Sequence, residues 1–197
     1  MEQLSEYDQL LHNIGRAAQA HVNIERSLRD VYIALTSPTL GTYLASSIRS
    51  KKLAEDCLLM LKKADIPSAA LEAANEALLA AKNSEEIRDR LIHDWWINRL
   101  EPGNSKPVLE QHQVLKGSLQ GFRVTKRDLS YARNGVRTLV RTYHRINAVN
   151  HVLRDELPFY KSAGIRSSIP LNFWIRVMKD EFKVNKDGSI QLNPKNT

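Results

Sequence analysis

The sequence predicts an all-α chain: an elongated up-and-down four-helix bundle with a small hairpin or loop insertion near 102–124 and a C-terminal arm. Three observations predict it. Glycine (8) and proline (7) are scarce, together about 8% of the chain against roughly 12% in an average protein. They leave long windows empty, between Gly15 and Pro38, Gly41 and Pro67, and Pro67 and Pro102. Inside those windows apolar residues recur in alternating steps of three and four, the period of an amphipathic helix.

The elements follow in order. Leu4, Tyr7, Leu11, Ile14 and Ala18, then Leu28, Tyr32 and Leu35, form the stripe of one long helix ending at Ser37-Pro38. A second helix over 42–64 carries Leu44, Ile48, Leu53, Cys57, Met60 and Leu61. A third starts at Pro67, a favoured first-turn residue, and reaches about Arg99. Its Leu71, Ala74, Leu78 and Ala81 suit close packing, and Ser84 caps a break at Asn83-Ser84. Pro102, Gly103, Pro107, Gly117 and Gly121 then crowd together around short β-friendly runs, which reads as the insertion. Thr125, with Asp128 three residues on, resembles a capping box. It opens a fourth helix carrying Leu129, Ala132, Val136, Leu139, Tyr143, Ile146, Val149 and Leu153 to Pro158. The bundle is assigned to 1–157. The arm, 158–197, packs on the bundle or on a dimer partner; Phe173-Trp174-Ile175 anchors it and Lys186-Asp187-Gly188 turns it.

Composition narrows the classes. Hydrophobic residues are 42% and charged ones 26%, a globular profile. The one cysteine, Cys57, excludes an internal disulfide framework and fits a reducing compartment. No run approaches the ~18 apolar residues of a membrane span. Glu2, Glu6 and Asp8 stand where a signal peptide would be basic. The expectation is a cytoplasmic protein that does not insert in membranes. Net charge is +7. From Lys116 to Arg154 there are nine Lys/Arg against Asp128 alone, a formal +8, so the rest of the chain sums to −1. An anionic partner meets that stretch first.

The segment Ser84-Glu-Glu-Ile-Arg-Asp-Arg-Leu-Ile-His-Asp-Trp-Trp96 carries the chemistry. Arg88 is followed by Asp89 and, after four intervening residues, by His93. This resembles the HEPN superfamily of all-helical proteins, whose ribonuclease members share Arg, four to six residues, then His, often with a polar residue directly after the Arg. The resemblance covers roughly 1–155. It implies a metal-independent endoribonuclease, with no cofactor, acting on RNA as a homodimer whose two motifs meet in a composite cleft. It further implies a setting in bacterial defence or toxin–antitoxin systems, with an antitoxin or regulatory protein as a second partner. The alternative is a non-catalytic member of the same fold that binds RNA or nucleotide, or regulates. A third option is a helical scaffold with a basic face.

The residue types suit such chemistry. Attack by a neighbouring 2′-hydroxyl needs no protein nucleophile and no metal. Histidine side chains titrate near pH 6.5 and serve as acid or base. Arginine offers a planar fork of donors to phosphate. Asp89 is four residues before His93, on the same helical face, and orients the ring. One difficulty is geometric: five residues at ~100° each place Arg88 and His93 roughly 140° apart. Either the helix is distorted near His93 or two chains share the site.

Supporting residues are assigned with their alternatives. Arg90 is assigned to RNA binding beside the motif, and the alternative for Arg88 is an exposed ion pair with Glu85 or Glu86. Arg133, Arg137, Arg141 and Arg145 recur every four residues as a ridge able to follow a phosphate backbone, or as a solvated face. Trp95-Trp96 point to opposite sides, so one is core and Trp96 lines the cleft or an interface. His21 and Glu25 form a polar pair in an apolar seam, supporting the motif or contacting each other. His93-Asp94 is also the central dipeptide of HD phosphohydrolases, which need further His and Asp on other helices. No metal-ligand spacing is present.

Overall fold

The computed structural model describes residues 5–99, 108–114, 122–164 and 168–194. Among them are seven helices and five strands: α1 (Glu6–Leu35), α2 (Pro38–Ala45), α3 (Ser50–Leu61), α4 (Ser68–Ile92), β1 (Trp95–Arg99), β2 (Val108–Val114), β3 (Phe122–Lys126), α5 (Leu129–Glu156), α6 (Pro158–Ser162), α7 (Leu171–Met178), β4 (Phe182–Val184) and β5 (Ile190–Leu192). The chain is mostly helical, with two small antiparallel sheets.

α1 is the continuous helix that the stripe predicts. The expected second helix is two. Ser37 caps α2, its hydroxyl accepting from Leu40 N, with Pro38 in the first turn. Past Ala45 the hydroxyls of Ser46 and Ser47 bond back to Tyr43 O (2.7 Å) and Leu44 O (3.1 Å). Those local bonds compete with the next helical turn, and α3 restarts at Ser50. α4 runs unbroken through Asn83-Ser84, because Ser84 is buried and donates to Ala81 O rather than capping a new start. It stops at Ile92, seven residues before the expected end.

The insertion is correspondingly larger. It is a three-stranded antiparallel sheet in order β1-β2-β3, beginning at Trp95. Trp95 and Trp96 are therefore strand residues. The turn residues Pro102, Gly103, Pro107, Gly117 and Gly121 lie outside the described residues. Thr125 is in β3, so it caps nothing. Asp128 is the cap of α5, its Oδ1 accepting from Tyr131 N (3.1 Å) and Ser130 Oγ (2.6 Å).

Contacts group the chain into two compact units, Met1–His21 with Glu85–Val140, and Val22–Ser84 with Arg141–Thr197. The sequence places a boundary at 157/158; this grouping instead puts the C-terminal arm with 22–84 and 141–157. The first unit buries Leu10, Ala17, Leu91, Leu109, Ala132, Val136 and Leu139. A Cβ on its Gly135 would stand 2.7 Å from Leu91 Cδ1 and 3.3 Å from Ile87 Cγ2, so glycine lets α5 approach α4 closely beside the motif. The second unit buries Ile24, Leu28, Leu53, Cys57, Leu78 and Leu153, with the α4 alanines 70, 73, 74, 77 and 81 as its small-residue face. Burial pushes the Cys57 thiol up, so this cysteine is an inert core residue.

In the second unit the arm is docked by α7, whose Trp174, Val177 and Met178 are buried. β4 and β5 pair across a turn in which Gly188 has φ +84°. His151 stacks on Trp174 (4.3 Å, 4°) and His144 meets the Phe182 ring edge-on at 5.9 Å. Burial holds both imidazoles below their usual range; Arg154 adds to the effect on His151, and Asp155 opposes it. The consequence has a definite sign. The folded chain keeps both rings neutral while the unfolded chain protonates them near pH 6.5. Stability is therefore full above that pH and declines as pH falls below it. The urea midpoint is expected to be lower at pH 5.5 than at 7.5, and replacing both histidines with glutamine should shrink that difference.

Candidate functional site

The motif belongs wholly to the first unit. Arg88 lies on the last full turn of α4, and His93 immediately follows the helix end at Ile92. His93 N still closes a helical hydrogen bond to Asp89 O (2.9 Å), so the angular separation is bridged by the length and flexibility of the Arg88 side chain. Arg88 Nη1 is 3.1 Å from His93 Nε2. A guanidinium can only donate. The lone pair on Nε2 therefore accepts, and the ring proton of the neutral imidazole is assigned to Nδ1. Guanidinium and imidazole thus meet within one chain. His93 is exposed, so the pair is reachable from solvent.

Two carboxylates hold the guanidinium. Nη2 donates to Glu85 Oε2 at 2.5 Å, and Nη1 is 3.2 Å from Asp89 Oδ1. Glu85 is mostly covered (16% exposed) and Asp89 is half open (52%). The Arg88 Nε–H is buried and makes no hydrogen bond. Asp89 does not act on His93 as the helical spacing suggests. Its carboxylate sits on Arg88, and its main-chain carbonyl accepts from His93 N (2.9 Å). The physical reason is the adjacent guanidinium, a charged partner that takes the Asp89 carboxylate at 3.2 Å. Asp89 would compete with any anion that approaches Nη1. Asp89→Asn removes that competing charge, worth about 1 kcal/mol or less in a solvated setting. The expected result is tighter phosphate and RNA binding by up to ~5-fold in a titration, with the Arg88–His93 contact kept.

The helix end itself is closed from outside. The last carbonyls of a helix lack intrahelical partners. Here Asp89 O accepts from His93 N, Arg90 O from Gln111 Nε2 (3.0 Å), and Leu91 O from Trp96 Nε1 (3.2 Å). Trp96 and Gln111 are cross-strand partners on β1 and β2, so one row of the sheet closes α4. Trp96 is half-buried beside the motif, with its ring 6.2 Å from Tyr131. Gln111 is 3% exposed and also donates to Asp94 Oδ2 (2.9 Å) while accepting from Arg127 Nε (3.2 Å). Arg90 is near Asp94 (3.8 Å) and Glu86 (3.6 Å), an ion-paired residue. Burial pushes the Asp94 carboxyl up, against the opposing pull of Arg90 and the Gln111 amide.

The remaining assignments divide. Arg133 and Arg137 are exposed on the first unit's part of α5, with Arg133 Nη2 on Gln9 Oε1 (2.6 Å). Arg141 and Arg145 belong to the second unit and are engaged there. Arg141 donates to Asp180 Oδ1 (2.8 Å), Asp180 O (2.8 Å) and Phe182 O (2.9 Å); Arg145 donates to Met178 O (2.6 Å). Regular spacing put four guanidinium groups on one ridge, but the C-terminal segment uses two of them. Glu25 pairs with Arg29 (2.9 Å) one turn along α1, and His21 is half-buried.

Sequence reasoning missed Gln111, Arg127 and the Glu110–His112 pair (3.3 Å). The available signal was Glu110-Gln111-His112-Gln113, four consecutive polar residues inside an apolar-bounded strand. Among the described residues no group of three or more His, Cys, Asp or Glu is placed to hold a metal ion, and no helix is long and apolar enough to cross a membrane. Compared with known proteins, the chain matches no family model and has no significant match among curated proteins or solved structures.

Proposed function

We propose that this chain is a HEPN-like, metal-independent endoribonuclease that works as a homodimer. The observation that carries the proposal is the 3.1 Å approach of Arg88 Nη1 to His93 Nε2 at an exposed helix end. On this reading the 2′-oxygen of RNA attacks the adjacent phosphorus as its proton passes to an imidazole. The bond from phosphorus to the 5′-oxygen breaks, and that oxygen takes a proton from an imidazolium. Arg88 moves from Asp89 and His93 to the phosphate and balances the charge gathering there. One His93 can serve both transfers in turn. Two, one from each chain across a two-fold axis, serve them in a single passage.

A second reading has its own support. Glu85 and Asp89 together outweigh the charge of Arg88, which opposes phosphate at the resting motif and favours a non-catalytic, regulatory role, with RNA or nucleotide binding only once one carboxylate is displaced. One assay separates the two. Purified protein is incubated with structured and unstructured RNA in EDTA, beside His93→Ala. Cleavage that survives EDTA and disappears in the variant supports the nuclease. Salt-sensitive binding without cleavage supports the binder. Equal cleavage by both proteins contradicts the assignment of His93.

A further inference from the structure

We infer that Gln111, a residue of β2 outside the motif, is the positioning residue for His93. The inference rests on the nuclease reading for its consequence in catalysis, but its geometry stands apart from it. Gln111 is nearly fully buried and its one amide is used at both ends. Nε2 donates to Arg90 O and Asp94 Oδ2, and Oε1 accepts from Arg127 Nε. Those two acceptors bracket the turn: Arg90 is three residues before His93 and Asp94 directly follows it. A single side chain therefore pins both sides of the peptide segment that carries the imidazole. Asp94 is the second half of the latch, with only 10% of its side chain exposed.

Chemistry makes the amide hard to replace. Leucine has similar bulk but leaves a helix carbonyl, a carboxylate and a guanidinium without the Gln111 bonds. Glutamate turns the Nε2 donor into an acceptor facing two acceptors. The amide ties the sheet to the turn, so a displacement of β2 is transmitted to the imidazole.

The test uses the full chain with Gln111→Leu, Asp94→Ala and Asp94→Asn. The first readout is the imidazole ¹⁵N and ¹H signals of His93 and their titration midpoint, followed by NMR; it needs no activity. The second is kcat and KM for RNA in EDTA. Gln111→Leu and Asp94→Ala are expected to shift the His93 signals and midpoint and to lower kcat at least ~10-fold, with KM within about 2-fold, because the phosphate contact of Arg88 is untouched. Asp94→Asn keeps an oxygen for the Gln111 amide and is expected to recover most of what Asp94→Ala loses. A merely structural role would lower thermal stability and leave the His93 signals in place, and that result in either folded variant overturns the inference. Asp94→Ala removes a mostly covered side chain but leaves the buried Gln111 amide in place, so it keeps the test open where Gln111→Leu does not fold. Absence of cleavage by the unmodified chain would count against the nuclease reading alone, since the imidazole signals still report whether the latch sets the ring.

Discussion

His93→Ala is expected to lower EDTA-resistant RNA cleavage by ~10²–10⁴-fold in kcat, the range for loss of a proton-transfer group. KM should change little, because on the proposed mechanism the imidazole transfers protons while the phosphate charge is met by Arg88. Arg88→Ala should differ in kind. On the proposed mechanism it removes the charge that balances both bound phosphate and the transition state, so kcat is expected to fall and KM to rise together. Arg88→Lys is not a conservative rescue. An ammonium cannot span Glu85, Asp89 and His93 as the planar fork does. Steady-state kinetics on a short RNA separates the two patterns, and matching losses in kcat and KM for both variants would contradict the division of roles.

The second large effect concerns stability. Arg141 makes three hydrogen bonds to the turn between α7 and β4 and stands 4.7 Å over the Phe182 ring. That turn includes Asp180 at φ +66°, a left-handed conformation costly for a non-glycine residue. The guanidinium holds it there by gripping both the side chain and the main chain of Asp180. Hydrogen bonds from a charged donor contribute about 1.5–3 kcal/mol each, and they are not additive. Arg141→Ala is therefore expected to cost roughly 2–4 kcal/mol, which lowers Tm by roughly 5–15 °C in a chain of this size. Arg137→Ala, on an exposed position, should stay within about 0.5 kcal/mol. Thermal unfolding followed by circular dichroism checks both. RNA binding is expected to show the reverse order, with Arg137→Ala weakening it more than Arg141→Ala.

The contrast between these two arginines shows what a linear pattern carries. A four-residue repeat states that side chains share a helix face. It does not state whether water or another segment covers that face. Residues 178–182 cover Arg141 and Arg145, and that docking depends on contacts some forty residues away. The long helices were legible because burial imposes their period locally, as Leu28, Val31 and Tyr32 illustrate in α1. The break at Ser46-Ser47 was not, because serines interrupt a helix only when their hydroxyls choose the backbone over solvent. The motif was legible as residue types at a spacing. Spacing sets Asp89 on the His93 face but does not show that the adjacent Arg88 guanidinium takes its carboxylate. Two β-prone tryptophans after a His-Asp pair were the available sign of a strand. Gln111 was invisible for a deeper reason: its importance comes from the register that sets it opposite Trp96, and register is settled by pairing.

The chemistry of the products tests the central claim most directly. Attack by a neighbouring 2′-hydroxyl leaves a 2′,3′-cyclic phosphate on one fragment and a free 5′-hydroxyl on the other. An RNA incubated with the protein in EDTA should yield those ends, and a single 2′-deoxy substitution at the cleaved position should abolish the cut. Fragments ending in 3′-hydroxyl and 5′-phosphate, or cleavage that ignores the missing 2′-hydroxyl, would contradict the assignment of Arg88 and His93 to this reaction.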